Sequence, residues 1–181
     1  LELFQQSKTN FENENLDALK QNFIDIVKLI EKGGLLCIRE EILIQYTIDL
    51  IGILDQLLSN PDEQITVFYG LRIIHHFFYI RTSIMNFIIL NGYLLFFQNL
   101  IHSSEKHIKE VSTYIAVLFF LSPEIMPIAL SSSFFSDFCD IYASYLEDPK
   151  NNYPILSVVS NAFNSITKLL KDDENVTIEM I

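Results

Sequence analysis

The sequence predicts an all-α chain built as a stack of about three helical repeats. Apolar residues recur at intervals of three and four, the period of a helix, and rarely alternate at two. Polar cap and turn residues cut the chain into segments of helical length. The apolar ends Leu57-Leu58, Leu100-Ile101 and Tyr145-Leu146 fall about 43 and 45 residues apart, inside the roughly 40 to 47 of helical-repeat arrays.

The elements follow in order. Residues 1–13, with Phe4 and Phe11 among polar neighbours, are expected to form an N-terminal extension or cap. Leu16, Leu19, Phe23, Ile26, Val27 and Ile30 make one apolar helical face, and Gly33-Gly34 supplies the left-handed geometry that ends a helix. Ile42 to Leu58 forms the next helix. Ser59-Asn60-Pro61-Asp62-Glu63 then offers a cap, a proline for the first turn and two carboxylates for the positive helix end, so a helix runs from there to about Ile80. Arg81-Thr82-Ser83 separates it from a short helix, Ile84 to Leu90, and Asn91-Gly92 turns the chain into a helix from Tyr93 to Ile101. Ser103-Ser104-Glu105 caps a long helix to Leu121, and Ser122-Pro123-Glu124 opens a short segment to Leu130. Ser131-Ser132-Ser133 caps Phe134 to Leu146; a polar loop leads to Pro154 and a last helix through Lys171. The repeat domain thus spans 14–171, with a polar, acidic tail over 172–181.

Within this order the unit from Asn91-Gly92-Tyr93 through Leu100-Ile101, followed by Ser103, Ser104, Glu105 and the helix of Ile108, resembles the armadillo repeat. In that family a glycine turn precedes an apolar middle helix, a polar turn follows, and a third helix lines a groove. The resemblance covers about residues 35–171 and implies an armadillo-like right-handed α-solenoid of about three repeats. Ile65, Ile108 and Ile155 mark the starts of the third helices, with Ile73, Ala116 and Phe163 eight residues later in each. Each unit alone would leave apolar surface on more than one side, so neighbours must cover it.

A net charge of −11 excludes broad nucleic-acid binding, which needs many Lys and Arg side chains on phosphates. Residues 1–63 hold twelve acids and five bases, residues 64–135 three and four, residues 136–181 eight and three. Cys37 and Cys139, far apart and without a CxxC spacing, are expected to be reduced core thiols. His75 and His76 diverge by about 100 degrees on a helix and His102 and His107 flank a turn, so no metal-ligand pattern forms. With no phosphate loop and no nucleophile motif, neither a cofactor nor an enzymatic activity is expected. The sequon Asn175-Val176-Thr177 carries no weight in a chain without a visible secretory leader. The apolar stretches from Ile84 and from Tyr114 are interrupted by polar residues and prolines before about 20 apolar residues accumulate, so no transmembrane span is expected.

Protein binding remains. The family's nuclear-import members clamp an extended peptide with a Trp and an Asn four residues on. The resemblance lays Leu71, Tyr114 and Asn161 on the Trp position and His75, Leu118 and Ser165 on the Asn position, so that ladder is absent. What it implies instead is a groove with an aromatic, a histidine and small polar groups, flanked by Tyr69, Arg72 and Tyr79, and Leu71 and Leu118 compete as core residues. The expectation is a non-enzymatic adaptor or scaffold segment in the cytoplasm or nucleus that binds a protein or peptide, basic by charge complementarity. The alternatives are a regulatory or structural subunit whose apolar ends bury in a larger complex, with self-association through repeat ends, and a membrane-associated helical protein.

Overall fold

In a computed structural model, which describes residues 2–34 and 37–172, the helical periodicity becomes ten α-helices, with no strand among those residues. They are α1 (Glu2–Glu12), α2 (Leu16–Glu31), α3 (Glu40–Leu57), α4 (Gln64–Ile80), α5 (Thr82–Ile88), α6 (Leu94–Ile101), α7 (Lys106–Leu121), α8 (Met126–Leu130), α9 (Phe134–Leu146) and α10 (Tyr153–Asp172). The tail beyond Asp172, with its sequon, lies outside the described residues. The chain divides into two compact units, up to Ser112 and from Thr113 onward, and α7 begins in the first and ends in the second.

Side-chain caps stand ahead of four helices. The Asn15 side chain accepts from the Ala18 N–H ahead of α2, and Asn60 accepts from the Asp62 N–H ahead of a 3-10 turn, Pro61–Glu63, that feeds α4. Ser103 Oγ accepts from the Glu105 N–H before α7, and Ser132, rather than Ser133, accepts from the Phe134 N–H before α9. Gly33 ends α2 at φ 77°, as its lack of a Cβ allows. The expected three-residue separator after α4 shrinks to Arg81, whose extended backbone is followed at once by α5. Between α5 and α6, Asn91 (φ −90°, ψ 15°) and Gly92 (φ 95°) break the helix inside one wide turn, Ile89–Tyr93. The run Thr82–Ile101 is long and apolar enough to cross a membrane by length and composition alone, but this break divides it into two helices.

In the first unit α2 and α3 both pack on α4, and α1 lies against α2 and α3. Phe4 of α1 stacks on Tyr46 of α3, with ring centroids 4.0 Å apart, and both meet the edge of Phe77 from α4. At Gly70 of α4 there is no room for a side chain against α3: a Cβ there would sit 2.5 Å from Leu54 Cδ2. The second unit is built on rings. Phe119 and Phe120 of α7 meet Phe134 of α9, Phe120 also meets Phe138, and Phe138 and Tyr142 meet Phe163 of α10. Cys139 is half-buried there; Cys37, expected in a core, is exposed in the turn ahead of α3, and both thiols are free.

The burial pattern differs by one residue from the expected match of Ile65, Ile108 and Ile155. Ile65 is 61% exposed, whereas Ile108 and Ile155 are 1% and 5% exposed. Thr66 is the enclosed residue at the start of α4, and its hydroxyl donates to Glu63 Oε2 at 2.7 Å. With Thr66 set against Ile108 and Ile155, the buried positions coincide along three helices: Gly70, Ser112 and Val159; then Ile73, Ile115 and Ala162; then Phe77, Phe119 and Ile166. Of the expected set Ile73, Ala116 and Phe163, the first two are buried and Phe163 is half-buried.

Candidate functional site

Helical spacing gathers the candidate residues of the first unit on one side of α4. Phe68, Arg72, His75, His76 and Tyr79 lie at intervals of three and four, so their side chains share a face. Opposite them, Val67, Leu71, Ile74 and Phe78 point inward and are buried. Leu71 is 0% exposed, so it belongs to the core and not to a binding surface.

Arg72 is held at the middle of the face. Its Nη2 donates to Glu31 Oε1 of α2 at 2.6 Å, and its Cζ lies 5.9 Å from the centroid of Phe68. Phe68 in turn meets Tyr69 on its own helix and His107 at the start of α7, with centroids 5.3 and 5.8 Å away. One turn on from Arg72, the His75 ring lies 5.7 Å from His76 and stacks at 24° against Tyr79, 6.3 Å away. Tyr79 is 70% exposed and forms the outer end of the row.

Burial pushes the His75 imidazole down to about 4, helped by the neighbouring His76 and by the Arg72 guanidinium. His76 is lowered too, by burial first and then by Arg72, with the Glu31 carboxylate pulling the other way. At neutral pH both rings are uncharged, and Arg72 is the cation of the face. The arrangement sets a guanidinium and an exposed phenol, residue types enriched at interface hot spots, beside two imidazoles. Among the described residues no three His, Cys, Asp or Glu side chains converge as a metal cluster.

In the second unit Tyr114 and Leu118 of α7 and Ser165 of α10 are half-buried, and Asn161 of α10 is exposed. Counted from the buried Thr66, Ile108 and Ile155, Arg72 falls at the same spacing as Tyr114 and Asn161, and His76 at the same spacing as Leu118 and Ser165. All six of these residues are at least partly exposed, whereas the expected set contained the enclosed Leu71.

Sequence reasoning passed over Phe68, His76, Glu31 and His107. Phe68 and His76 are legible from the period alone, each four residues from Arg72. Glu31 and His107 come from other helices, and no local pattern connects them to α4. Comparison with protein-family models, with curated proteins and with solved structures gives no match.

Proposed function

We propose that the chain is a non-enzymatic protein-binding segment, an armadillo-like right-handed α-solenoid of about three repeats, acting as an adaptor or scaffold in the cytoplasm or nucleus. The observation that carries this reading is the face of α4, where an ion-paired Arg72 sits between Phe68 and the His75–Tyr79 stack with Tyr79 exposed. Arg and Tyr are enriched at interface hot spots because each combines a large contact area with directed polar atoms. The coincident burial of Thr66, Ile108 and Ile155 and of the three positions that follow supports the repeat assignment, with α4, α7 and α10 as third helices. The partner is a protein segment, with basic character favoured by the net charge of −11.

The test is a pull-down from the native cell with wild type and an Arg72→Ala, Tyr79→Ala double variant side by side. A partner retained by wild type and lost from the variant, at unchanged helicity, supports the reading. Identical partner sets would refute it.

A second reading is favoured by a separate observation: Ile65, Phe87, Leu90 and Leu95, all in the first unit, are each more than two-fifths exposed. A subunit of a larger complex would cover such residues. Concentration-dependent self-association, measured by light scattering and abolished by Leu90→Lys with Leu95→Lys, would favour it over the first.

A further inference from the structure

Away from the α4 face, α1 and α3 leave a groove between them. Two adjoining hollows line it, about 420 and 290 Å³ in volume, both bordered by the Lys8–Asp49 ion pair at 3.9 Å. The first is floored by Phe4, Ile42 and Tyr46, the second by Phe11, Ile48 and Ile53. The groove follows α3 from Glu41 to Gln56, about 22 Å at a rise of ~1.5 Å per residue, the length of a helix of about 15 residues.

Two features of the groove point to what fills it. The first is charge. Lys8 is neutralised by Asp49, which leaves Glu41 lining one hollow and Glu12 the other, neither paired with a cation among the described residues. The second is Gly52, in the middle of α3 at the edge of the second hollow. A Cβ there would meet nothing within 4 Å, so the packing of this chain does not require a glycine, although glycine in a helix interior weakens the helix. A glycine at an open position allows another backbone to come close.

We infer that the α1–α3 groove docks a basic amphipathic helix of another protein, its apolar face on Phe11, Ile42 and Ile48 and its Lys or Arg residues reaching Glu12 and Glu41. An antiparallel or crossing third helix suits two helices with an apolar seam, and interaxial distances of about 8–10 Å need a small residue where the seam is tightest. Like charge opposes a second copy of the chain, which is strongly acidic, and its own tail, which carries Asp172, Asp173 and Glu174. The acidic rim also opposes an anionic membrane surface.

The probe is a fluorescein-labelled 18-residue peptide of Leu and Lys with Leu on one helical face, followed by fluorescence anisotropy at physiological salt. Expected is saturable one-to-one binding that falls at least tenfold in Gly52→Leu and at least tenfold in Glu12→Lys with Glu41→Lys. Asp140→Lys with Glu147→Lys changes the net charge equally and is expected to lower affinity less than threefold. Arg72→Ala with Tyr79→Ala leaves this binding unchanged, which separates the groove from the α4 face. Circular dichroism confirms that each variant is folded. The inference is overturned if no saturable binding occurs, if both charge-reversal pairs act equally, if Gly52→Leu has no effect, or if a Leu/Glu peptide binds as well. It is also overturned if the Arg72, Tyr79 pair abolishes binding, if a dimer of the chain is lost in Gly52→Leu, or if anionic vesicles bind as tightly as the peptide.

Discussion

Gly52 and Gly70 both sit in the interior of long helices, and the structure gives replacement by alanine opposite signs at the two positions. Alanine is better than glycine in a helix interior by about 0.5–1 kcal/mol, through backbone entropy and loss of unfolded-state freedom, and this gain applies equally at both. At Gly52 the added methyl meets nothing within 4 Å, so the gain stands alone. At Gly70 the methyl would lie 2.5 Å from Leu54 Cδ2, 3.1 Å from Cδ1 and 3.2 Å from Cγ. Leu54 is itself fully enclosed, so it cannot turn away without displacing other core atoms. Overpacking of this kind costs about 1–3 kcal/mol, which offsets the propensity gain and leaves Gly70→Ala destabilising by about 0–2 kcal/mol. The difference between the two variants isolates the steric cost because the propensity contribution cancels. Urea unfolding followed at 222 nm measures it, and a gain of 1 kcal/mol corresponds to about 2–4 °C in Tm for a chain of this size. Equal gains at both sites, or a loss at Gly52 and a gain at Gly70, would refute the placement of α3 against α4.

Other consequences follow from single side chains. Because the His75 pKa is lowered in the folded state, the unfolded chain binds more protons between about pH 6.5 and 4; stability relative to His75→Gln is therefore expected to fall as the pH drops through that window, by urea unfolding at several pH values. Arg72→Met should raise the pKa of both His75 and His76, read by NMR titration, since the guanidinium lowers both. Ser112 Oγ is buried without a hydrogen-bond partner, so Ser112→Ala removes a desolvated hydroxyl and is expected to be neutral or stabilising by up to about 1 kcal/mol; a loss above that figure would show an unseen partner. Phe4→Ala should cost about 3–5 kcal/mol in the unit that contains α1, because it removes the stack on Tyr46 and the edge contact to Phe77; a loss below about 1 kcal/mol would mean that α1 is not docked.

Helix identity and most boundaries were legible because they depend on local chemistry. Asn60-Pro61, Ser103, Gly33 and Asn91-Gly92 each settle a start or a stop within a few residues, and the structure uses all four. Residues 1–13 were expected as an extension or cap without an assigned helix, because Phe4 and Phe11 are too few to define a periodic face. Their helix is stabilised by Tyr46 and Phe77, distant in sequence. The functional face was legible in part for the same reason. The resemblance supplied His75 and the helical period added Tyr69, Arg72 and Tyr79, but Glu31 and His107 reach the face through helix packing that no window of sequence contains. The resemblance laid Leu71 on the face with a core position as the competing reading, and its burial agrees with the core position.

That misplacement has a physical cause and a test. Ile65, Ile108 and Ile155 match as letters, yet the repeat reading proposed above asks for equal enclosure at a position and not for the same residue. The 3-10 turn ahead of α4 and the Thr66–Glu63 hydrogen bond set Thr66, whose β-branched side chain is close to valine in volume, at the enclosed site, and leave Ile65 facing outward. Truncation should then separate the three isoleucines. Ile108→Ala and Ile155→Ala each remove a buried side chain and should cost about 2–5 kcal/mol. Ile65→Ala removes a side chain that is 61% exposed and should change stability by less than about 0.5 kcal/mol. Because exposed alanine is at least as good in a helix as isoleucine, the sign at Ile65 can even be favourable. If Ile65→Ala instead cost as much as Ile108→Ala, the identity-based register would be restored. In the proposed repeat reading Leu71 would then match Tyr114 again, and Arg72 and His76 would no longer match positions on α7 and α10.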